Sequence, residues 1–202
     1  MNYIIRNEKK EEEFFVENLT RETFWNVYRP GCEEHYVLHK IRKDPCFIPE
    51  LNLVLEYEGN IIAHVVFVKC EIQTDKGNVP ILSFGPLTVD NGCRYRGVGT
   101  YLLNHALNMA KNMGWKACTV IGNPKFYSRF GFECSEKYNI YFEDSNEFFP
   151  EFQIMELEKN SLMGVNGRFY EPKVYYQPKE EIEAFDRLFV PKKKMKLPGQ
   201  LV

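Results

Sequence analysis

The spacing of hydrophobic residues along the chain changes near residue 51. Before that point, apolar side chains recur every three to five residues in two stretches, which is typical of helices with one buried face. We predict a short strand at residues 2–6, a helix over 8–28 that Pro30 and Gly31 end, and a second helix over about 33–43.

From residue 51 the sequence consists of runs of β-branched and aliphatic residues separated by short turns. The runs predict three strands at 51–57, 61–73 and 79–89, joined as an antiparallel meander. Gly85 and Pro86 interrupt the third strand. Because proline donates no ladder hydrogen bond and glycine tolerates unusual dihedrals, we expect a bulge there or a splay from the next strand.

The most regular helical pattern follows at residues 97–113 and ends at Gly114. After it we predict a strand at 117–122, a helix around 124–130 and strands around 138–142 and 152–157. This order predicts an α/β fold, one mixed sheet with helices on its faces. Residues 159–202 are treated as an extension with a short amphipathic helix at 179–189 and a solvated basic tail, KKKMK.

The amino-acid composition limits the classes of protein to which this chain can belong. The 202 residues are 44% hydrophobic and 27% charged, which favours one folded domain with an extension. Six widely spaced cysteines without a C-x-x-C pair favour neither zinc nor a disulfide framework, so we expect a reducing cytoplasm. The net charge of −2 predicts no nucleic-acid partner. The longest apolar run, residues 61–68, is too short to span a membrane, and the N-terminus has no signal-peptide pattern.

The segment RYRGVG stands between the third strand of the meander and the most regular helix. A glycine-bearing turn at a helix N-terminus presents backbone N–H groups and a partial positive charge, which suit a phosphate. Arg94 and Arg96 add cations, while Gly97 and Gly99 permit close approach. The alternative is an ordinary turn with two solvated arginines. A dinucleotide fingerprint fails because Leu102 stands at the third glycine position, and no G-K-[ST] triplet occurs.

Two stretches resemble motifs of the GNAT superfamily of N-acetyltransferases. FGPLTVDNGCRYRGVGTYLLNHAL is similar to its acyl-CoA-binding motif, [QR]-x-x-G-x-[GA] between strand four and helix three. GNPKFYSRFGF is similar to its second motif, with Asn123, Tyr127, Gly131 and Phe132 in the motif positions. The element order matches over residues 1–158, which we take as the acetyltransferase domain. SLMGVNGRFYEP resembles the C-terminal segment of a bacterial subgroup of predicted N-acetyltransferases, whereas 173–202 match no pattern.

The resemblance implies a mostly antiparallel central sheet flanked by helices, and acetyl-CoA as co-substrate without a metal. Strand four is then expected to bind the pantetheine arm through its backbone, and the following loop to bind the pyrophosphate. The residues that the resemblance assigns to acetyl-CoA are Leu87, Thr88, Val89, Arg94, Tyr95, Arg96, Gly97, Val98, Gly99, Thr100 and Asn123. Asn123 also precedes a proline, so helix capping alone explains its presence.

Tyr127 matches the position at which many GNAT members protonate the departing CoA thiolate. A buried structural tyrosine is the alternative. The sequence singles out no general base among Glu33, Glu34, His35, His64, Glu71 and Glu133. His64 alternates with apolar neighbours and is expected in the core, whereas His105 is expected to face solvent.

The implied activity is acetyl transfer from acetyl-CoA to an amine of a small molecule or peptide, by direct attack in a ternary complex. The alternative is a GNAT-fold module that binds CoA as a sensor or docking domain without turnover. A nucleic-acid or acidic-protein contact through KKKMK is the weaker account of the tail. Monomer and homodimer are both compatible with the sequence, and no acceptor is indicated.

Overall fold

The computed structural model describes residues 2–94 and 96–200, so Tyr95 of the predicted loop lies outside the described residues. The fold is a mixed sheet of mostly antiparallel strands flanked by helices, as predicted. The chain divides into two compact units. Unit 1 comprises Met1–Val66, Pro86–Leu103 and Lys173–Val202, and unit 2 comprises Phe67–Gly85 and Asn104–Pro172.

The regular elements follow one another in the predicted order, with two additional short strands. The strands are β1 (Tyr3–Asn7), β2 (Phe47–Tyr57), β3 (Asn60–Thr74), β4 (Gly77–Val89), β5 (Ala117–Ile121), β6 (Glu133–Cys134), β7 (Ile140–Phe142), β8 (Phe152–Glu156) and β9 (Gly167–Phe169). The α-helices are α1 (Glu13–Phe24), α2 (Glu34–Ile41), α3 (Val98–Asn112), α4 (Pro124–Tyr127) and α5 (Lys179–Asp186). Short 3₁₀ turns occupy Lys10–Glu12, Asn91–Cys93, Ser128–Phe130, Ser135–Tyr138 and Lys173–Tyr175.

In unit 1 the strands lie in the order β1-β2-β3-β4, with β1 antiparallel to β2. The turn between β2 and β3 is made by Glu58 and Gly59, at φ values of 51° and 79°. Positive φ at both central residues is the type I′ geometry that matches the twist of a hairpin. The turn that the sequence predicts at residues 58–60 is therefore present.

Helix α1 is shorter than predicted. The expected helix reached Tyr28, but α1 ends at Phe24, and Asn26 adopts a left-handed φ of 59°. The Asn26 side chain accepts a hydrogen bond from Gly31 N at 2.8 Å, which stabilises this turn. A local side-chain bond of this kind competes with helix propagation, so asparagine rather than proline sets the boundary.

In unit 2 the strands lie in the order β3-β4-β5-β8-β6, and β9 pairs with both β3 and β7. Strand β4 is parallel to β5, whereas β5 and β6 are antiparallel to β8. The packed interior contains Ile72, Ile81, Ala117, Ile140, Phe152, Ile154, Leu162 and Phe169. The sequence did not predict β6 or β9, because two or three residues are too few to establish an alternating pattern.

Candidate functional site

Strand β4 and strand β5 pair over a short distance. Their parallel register covers Leu82 with Cys118 and Ser83 with Thr119, and ends before Gly85, although β4 continues to Val89. Gly85 has a φ of 144°, a conformation that side-chain-bearing residues avoid. The interruption predicted at Gly85 and Pro86 therefore coincides with the end of the pairing.

The last residues of β4 alternate between a buried and a more open face. Pro86 and Thr88 are buried, whereas Leu87 and Val89 are half-buried. The Thr88 hydroxyl lies 3.0 Å from the Thr20 hydroxyl on α1. Thr88 thus directs its side chain toward α1, and only its backbone is left to serve the role that the motif assigns to it.

A second contact between β4 and α1 lies one residue further along. Thr23 donates its hydroxyl hydrogen to the carbonyl oxygen of Val89 at 3.1 Å. One lone pair of this carbonyl is thereby engaged, and the second is the one that a ligand donor would use. Thr20 and Thr23 were not singled out from the sequence, since their only signal was their place in a helical pattern.

The turn after β4 is held by Asp90 at its start. Asp90 N donates to the Ile62 carbonyl at 2.8 Å, and the Asp90 carboxylate accepts from Gly92 N at 2.8 Å. The Asn91 amide then donates to the Glu22 carbonyl on α1 at 3.1 Å. The turn is therefore attached both to β3 and to the last turn of α1.

Arg94, the first residue of the predicted anion motif, also contacts α1. Its Nη2 donates to the Thr23 carbonyl at 2.7 Å, near the C-terminal end of the helix. A cation at this end of a helix is stabilised by unpaired carbonyls and by the helix dipole. One nitrogen of Arg94 thus anchors the turn, although both Arg94 and Arg96 are exposed.

Helix α3 begins directly after Gly97. Tyr101 N donates to the Gly97 carbonyl at 2.9 Å, so the N–H groups of residues 98–100 precede the first hydrogen bond of that helical ladder. Gly97 has a φ of 77°, and a Cβ added there would meet no atom of the described residues within 4 Å. The end of the helix is thus open to an approaching group, while Val98 is buried beneath it and Thr100 is half-buried.

Tyr28, just beyond α1, lies within electrostatic range of this turn. Burial raises the pKa of its phenol, Glu34 raises it further, and Arg94 opposes the change. The three charged or ionisable groups therefore interact, although the sequence motif included only Arg94. No motif or spacing in the sequence indicates that Tyr28 lies near this turn.

Tyr127 belongs to unit 2, at the end of α4. Its ring packs with the rings of Phe84, Phe126, Phe130 and Phe132, at centroid distances of 4.9 to 6.5 Å. A Cβ on Gly122 would lie 2.3 Å from Tyr127 Cε2, so any larger residue at that position would displace the ring. Aromatic packing and this backbone contact give the ring a defined orientation.

Asn123 caps α4. Its side-chain oxygen accepts a hydrogen bond from Lys125 N at 3.0 Å, and Pro124 occupies the first helical position. The capping role that the sequence suggested is therefore present. The Asn123 side chain is exposed. Its oxygen makes the capping hydrogen bond, and its amide nitrogen takes no part in that bond.

His64 and His105 lie where the sequence predicted them, in the core and facing solvent respectively. His64 is fully buried, with Nε2 2.7 Å from the Asn52 side-chain oxygen, and burial holds the pKa of its ring well below the ordinary value. His105 is exposed. His64 Nδ1 is buried without a hydrogen-bond partner among the described residues, so the ring is only partly satisfied.

The described residues provide neither a metal site nor a membrane-spanning helix. No group of three or more His, Cys, Asp or Glu side chains within residues 2–94 and 96–200 could hold a metal ion. Over the same ranges, every helix is too short or too polar to cross a bilayer.

Residues 49–134 match the family model of the acetyltransferase (GNAT) domain. The chain is 28% identical to the uncharacterized N-acetyltransferase YhbS of Escherichia coli strain K12 over 134 residues, which is 66% of this chain and 78% of YhbS. It is 26% identical to the uncharacterized N-acetyltransferase YjhQ of the same strain over 101 residues, 50% of this chain and 56% of YjhQ.

Solved structures agree with these relatives. A crystal structure of Escherichia coli YhbS in complex with CoA superposes with a TM-score of 0.77 at 25% identity, covering 88% of this chain and 93% of that one. A GNAT family acetyltransferase from Brucella melitensis in complex with acetyl-CoA has a TM-score of 0.69 at 20% identity, covering 86% and 98% respectively. At 20% identity, the similarity to the Brucella melitensis protein shows a shared fold alone.

Proposed function

We propose that the chain is a GNAT-superfamily N-acetyltransferase, as its match to the GNAT domain model over residues 49–134 supports, and that it transfers the acetyl group of acetyl-CoA to an amine. The amine nitrogen attacks the thioester carbonyl carbon directly, within a ternary complex. The attacking nitrogen releases one proton to solvent, the tetrahedral intermediate collapses, the carbon–sulfur bond breaks, and CoA leaves as a thiolate that takes up a proton. The acceptor class is a small molecule or a peptide.

The observation that carries this proposal is the geometry at the N-terminus of α3. The helix starts at an open glycine, Gly97, with the N–H groups of residues 98–100 ahead of its first ladder bond. The pyrophosphate of CoA needs such donors at a site that no side chain obstructs. We assign residues 94–100 to this role, with Arg96 as the exposed cation beside them.

The proposed partner of the pantetheine arm is the end of β4. Pairing with β5 ends before Gly85, and the half-buried Leu87 and Val89 flank Thr88, whose side chain faces α1. An extended ligand with amide groups binds such backbone as an added strand would. The Val89 carbonyl has one lone pair available for this purpose, since Thr23 uses the other.

We further propose that Tyr127 supplies the proton to the CoA thiolate and that Asn123 contacts the cofactor with its side-chain nitrogen. A phenol of ordinary pKa about 10 gives its proton to a thiolate whose conjugate acid is near 8.5 only through a pre-formed hydrogen bond. The packing of Tyr127 among four phenylalanine rings supports such positioning.

Binding is tested by calorimetry with CoA and with pantetheine, at low and at high salt. We expect CoA to bind more tightly than pantetheine and to lose affinity as salt rises, because the phosphates supply much of the attraction. Equal affinity for the two compounds would show that residues 94–100 do not hold the pyrophosphate.

Turnover is tested by measuring thiol release from acetyl-CoA across a broad panel of amines and lysine peptides. Acetyl transfer predicts amine-dependent release for at least one class. CoA binding with no release above the uncatalysed rate for any amine would support the sensor or docking module instead.

The remaining assignments follow from the same proposal. We place the protein in the cytoplasm, where acetyl-CoA is available, and this is supported by six cysteines that are all free thiols. The proposed assembly is a monomer or homodimer, to be resolved by sedimentation. Neither nucleic acid nor membrane is assigned as a partner.

A further inference from the structure

The last two turns of α1 make two sets of contacts on different sides of the helix. Thr20 and Thr23, three residues apart, share the side that contacts β4. Arg21 and Trp25, four residues apart, share another side. That second side contacts residues 179–200, which we call the C-terminal strap.

The centre of the second side is a buried ion pair. The Arg21 side chain is 0% exposed, and its Nε donates to the Asp186 carboxylate at 2.6 Å. The guanidinium lies between two rings, with its central carbon 4.2 Å from the Trp25 ring centroid and 5.5 Å from that of Phe189. Asp186 is thus the strap's counter-ion for a cation that has no access to water.

The strap also attaches to the residues immediately after α1. The Lys193 carbonyl accepts hydrogen bonds from Trp25 Nε1 and Asn26 Nδ2, each at 3.1 Å. Met195 N donates to the Asn26 side-chain oxygen at 3.0 Å, and Gln200 Nε2 donates to the Asn26 carbonyl at 2.9 Å. These side chains bond mainly to strap backbone, so the strap is held even though its lysine side chains are exposed.

The same few residues of α1 hold the loop that we assign to the pyrophosphate. The carbonyls of Glu22 and Thr23 accept from Asn91 and Arg94, at 3.1 and 2.7 Å. Glu22 contacts the strap as well, through an ion pair with Lys192 at 2.7 Å. A displacement of the last turn of α1 would therefore change the carbonyl positions on which the loop is fixed.

We propose that Asp186 is a positioning residue for acetyl-CoA binding, acting through Arg21 and the last turn of α1 on residues 90–100. The proposal rests on the proposed function of that loop. Asp186 touches neither reactant. It is the nearer and more buried of two carboxylates beside a buried guanidinium, since the other, Glu22 at 3.4 Å, is 42% exposed; without the Asp186 charge we expect Arg21 to shift toward Glu22 and water, displacing the end of α1. The C-terminal strap is thereby a support of the cofactor loop.

The first test compares Asp186→Asn with Glu183→Gln in the full-length chain. Glu183 lies on the same helix, about half exposed, and pairs with Lys194 at 3.8 Å, so its neutralisation is a matched control. In Asp186→Asn we expect faster amide hydrogen exchange over residues 90–100 without any ligand. We also expect CoA to bind about three- to thirtyfold more weakly, the range of indirect coupling energies. Glu183→Gln should match the wild type in both.

A kinetic split and a rescue separate positioning from general damage. Asp186→Asn should raise KM for acetyl-CoA while kcat at saturation changes less than twofold. Asp186→Glu, which keeps the carboxylate, should recover most of the affinity. If Asp186→Asn folds and its loop exchange and CoA affinity equal those of the wild type, the proposal is wrong. Weaker CoA binding with unchanged loop exchange also contradicts it.

Trp25→Phe serves where Asp186→Asn does not fold. It keeps a ring beside Arg21 but removes the hydrogen bond to Lys193, and we expect the same two effects at smaller size. Unchanged exchange of residues 90–100 in a folded Trp25→Phe variant overturns the proposal. Hydrogen exchange in the absence of ligand distinguishes this failure from that of the proposed function. Absence of CoA binding by the wild type contradicts the proposed function and with it the role of Asp186 in binding, whereas the exchange of residues 90–100 still tests whether Asp186 holds the loop.

Discussion

Gly99 lies against Val89 so closely that a Cβ on the glycine would be 3.1 Å from Val89 Cγ2. The first turn of α3 therefore packs directly on the Val89 side chain at the end of β4, with no side chain on the helix at that point. This contact places the helix N-terminus directly beside the half-buried end of the strand. Two of the segments that we assign to acetyl-CoA are thus joined by a glycine.

Gly99→Val should weaken CoA binding more than Arg96→Ala does. The valine needs the space of Val89 and displaces the helix end, whereas an exposed arginine contributes mainly screened attraction. Calorimetric dissociation constants give the order. A larger loss from Arg96→Ala would indicate that side-chain charge rather than backbone approach makes the site.

Gly97→Ala has a matched control in Gly59→Ala. The two glycines have φ values of 77° and 79°, and within residues 2–94 and 96–200 a Cβ on either would meet no atom closer than 4 Å. Each substitution should therefore cost a similar free energy of unfolding, about 1 kcal/mol, from left-handed strain alone. Only Gly97→Ala should weaken CoA binding. Equal dissociation constants in the two variants would remove Gly97 from the site.

Tyr127→Phe should leave the affinity for acetyl-CoA nearly intact and lower kcat by about 10² to 10⁴. The change deletes the hydroxyl and keeps the ring that packs in the aromatic cluster. Single-turnover kinetics are required, because slow product release can hide a loss in the chemical step. An unchanged single-turnover rate would leave Tyr127 with a structural role.

Gly122→Ala should impair turnover by moving Tyr127. The added Cβ would lie 2.3 Å from Tyr127 Cε2, so the ring must shift, at a cost of about 1–3 kcal/mol in the free energy of unfolding. In a Tyr127→Phe background the same change should lower kcat little further. Multiplicative losses in the double variant would show that Gly122 affects the rate by another route.

The protein should lose stability as the pH falls from about 6.5 to about 4, in part through His35. Its ring is fully buried, 3.4 Å from Asp186, and burial lowers the pKa to about 4; Asp186 opposes this, while Arg21 and Lys194 add to it. In that interval the unfolded chain binds a proton that the folded chain does not, so the loss reaches about 3 kcal/mol at pH 4.

Urea unfolding of the wild type and His35→Leu across this pH range measures the histidine's share. The variant cannot bind the proton in either state, so its free energy of unfolding should depend less on pH. Identical pH profiles for the two proteins would contradict the assignment to His35.

All six cysteines should titrate as thiols in denaturant without reductant. In the native protein, Cys32 and Cys118 should react slowest, because burial raises the pKa of both thiols well above the ordinary value. Recovery of markedly fewer than six thiols from protein made in a reducing cytoplasm would contradict the proposed compartment.

Much of the fold follows from local patterns in the sequence. The β-branched and aliphatic run over 79–89, the glycine-rich turn and the helical pattern over 97–113 each specify one element, because their physical causes act over a few residues. The observed β4 and α3 agree with these predictions within two residues. The anion-binding character of the turn is equally local, since glycine dihedrals and a helix N-terminus suffice for it.

The sequence by itself therefore determined the order of the main elements, the resemblance to the GNAT superfamily and the position of the candidate loop. Only the tertiary structure decided that Arg94 is anchored on Thr23, that Thr88 faces Thr20 and that Asp186 neutralises Arg21. The partners in these contacts are 68 to 165 residues apart in the chain and lie on different elements. No short-range periodicity in the sequence therefore encodes which polar groups meet. Burial selects them, because a polar group removed from water must find a partner wherever the folded backbone brings one.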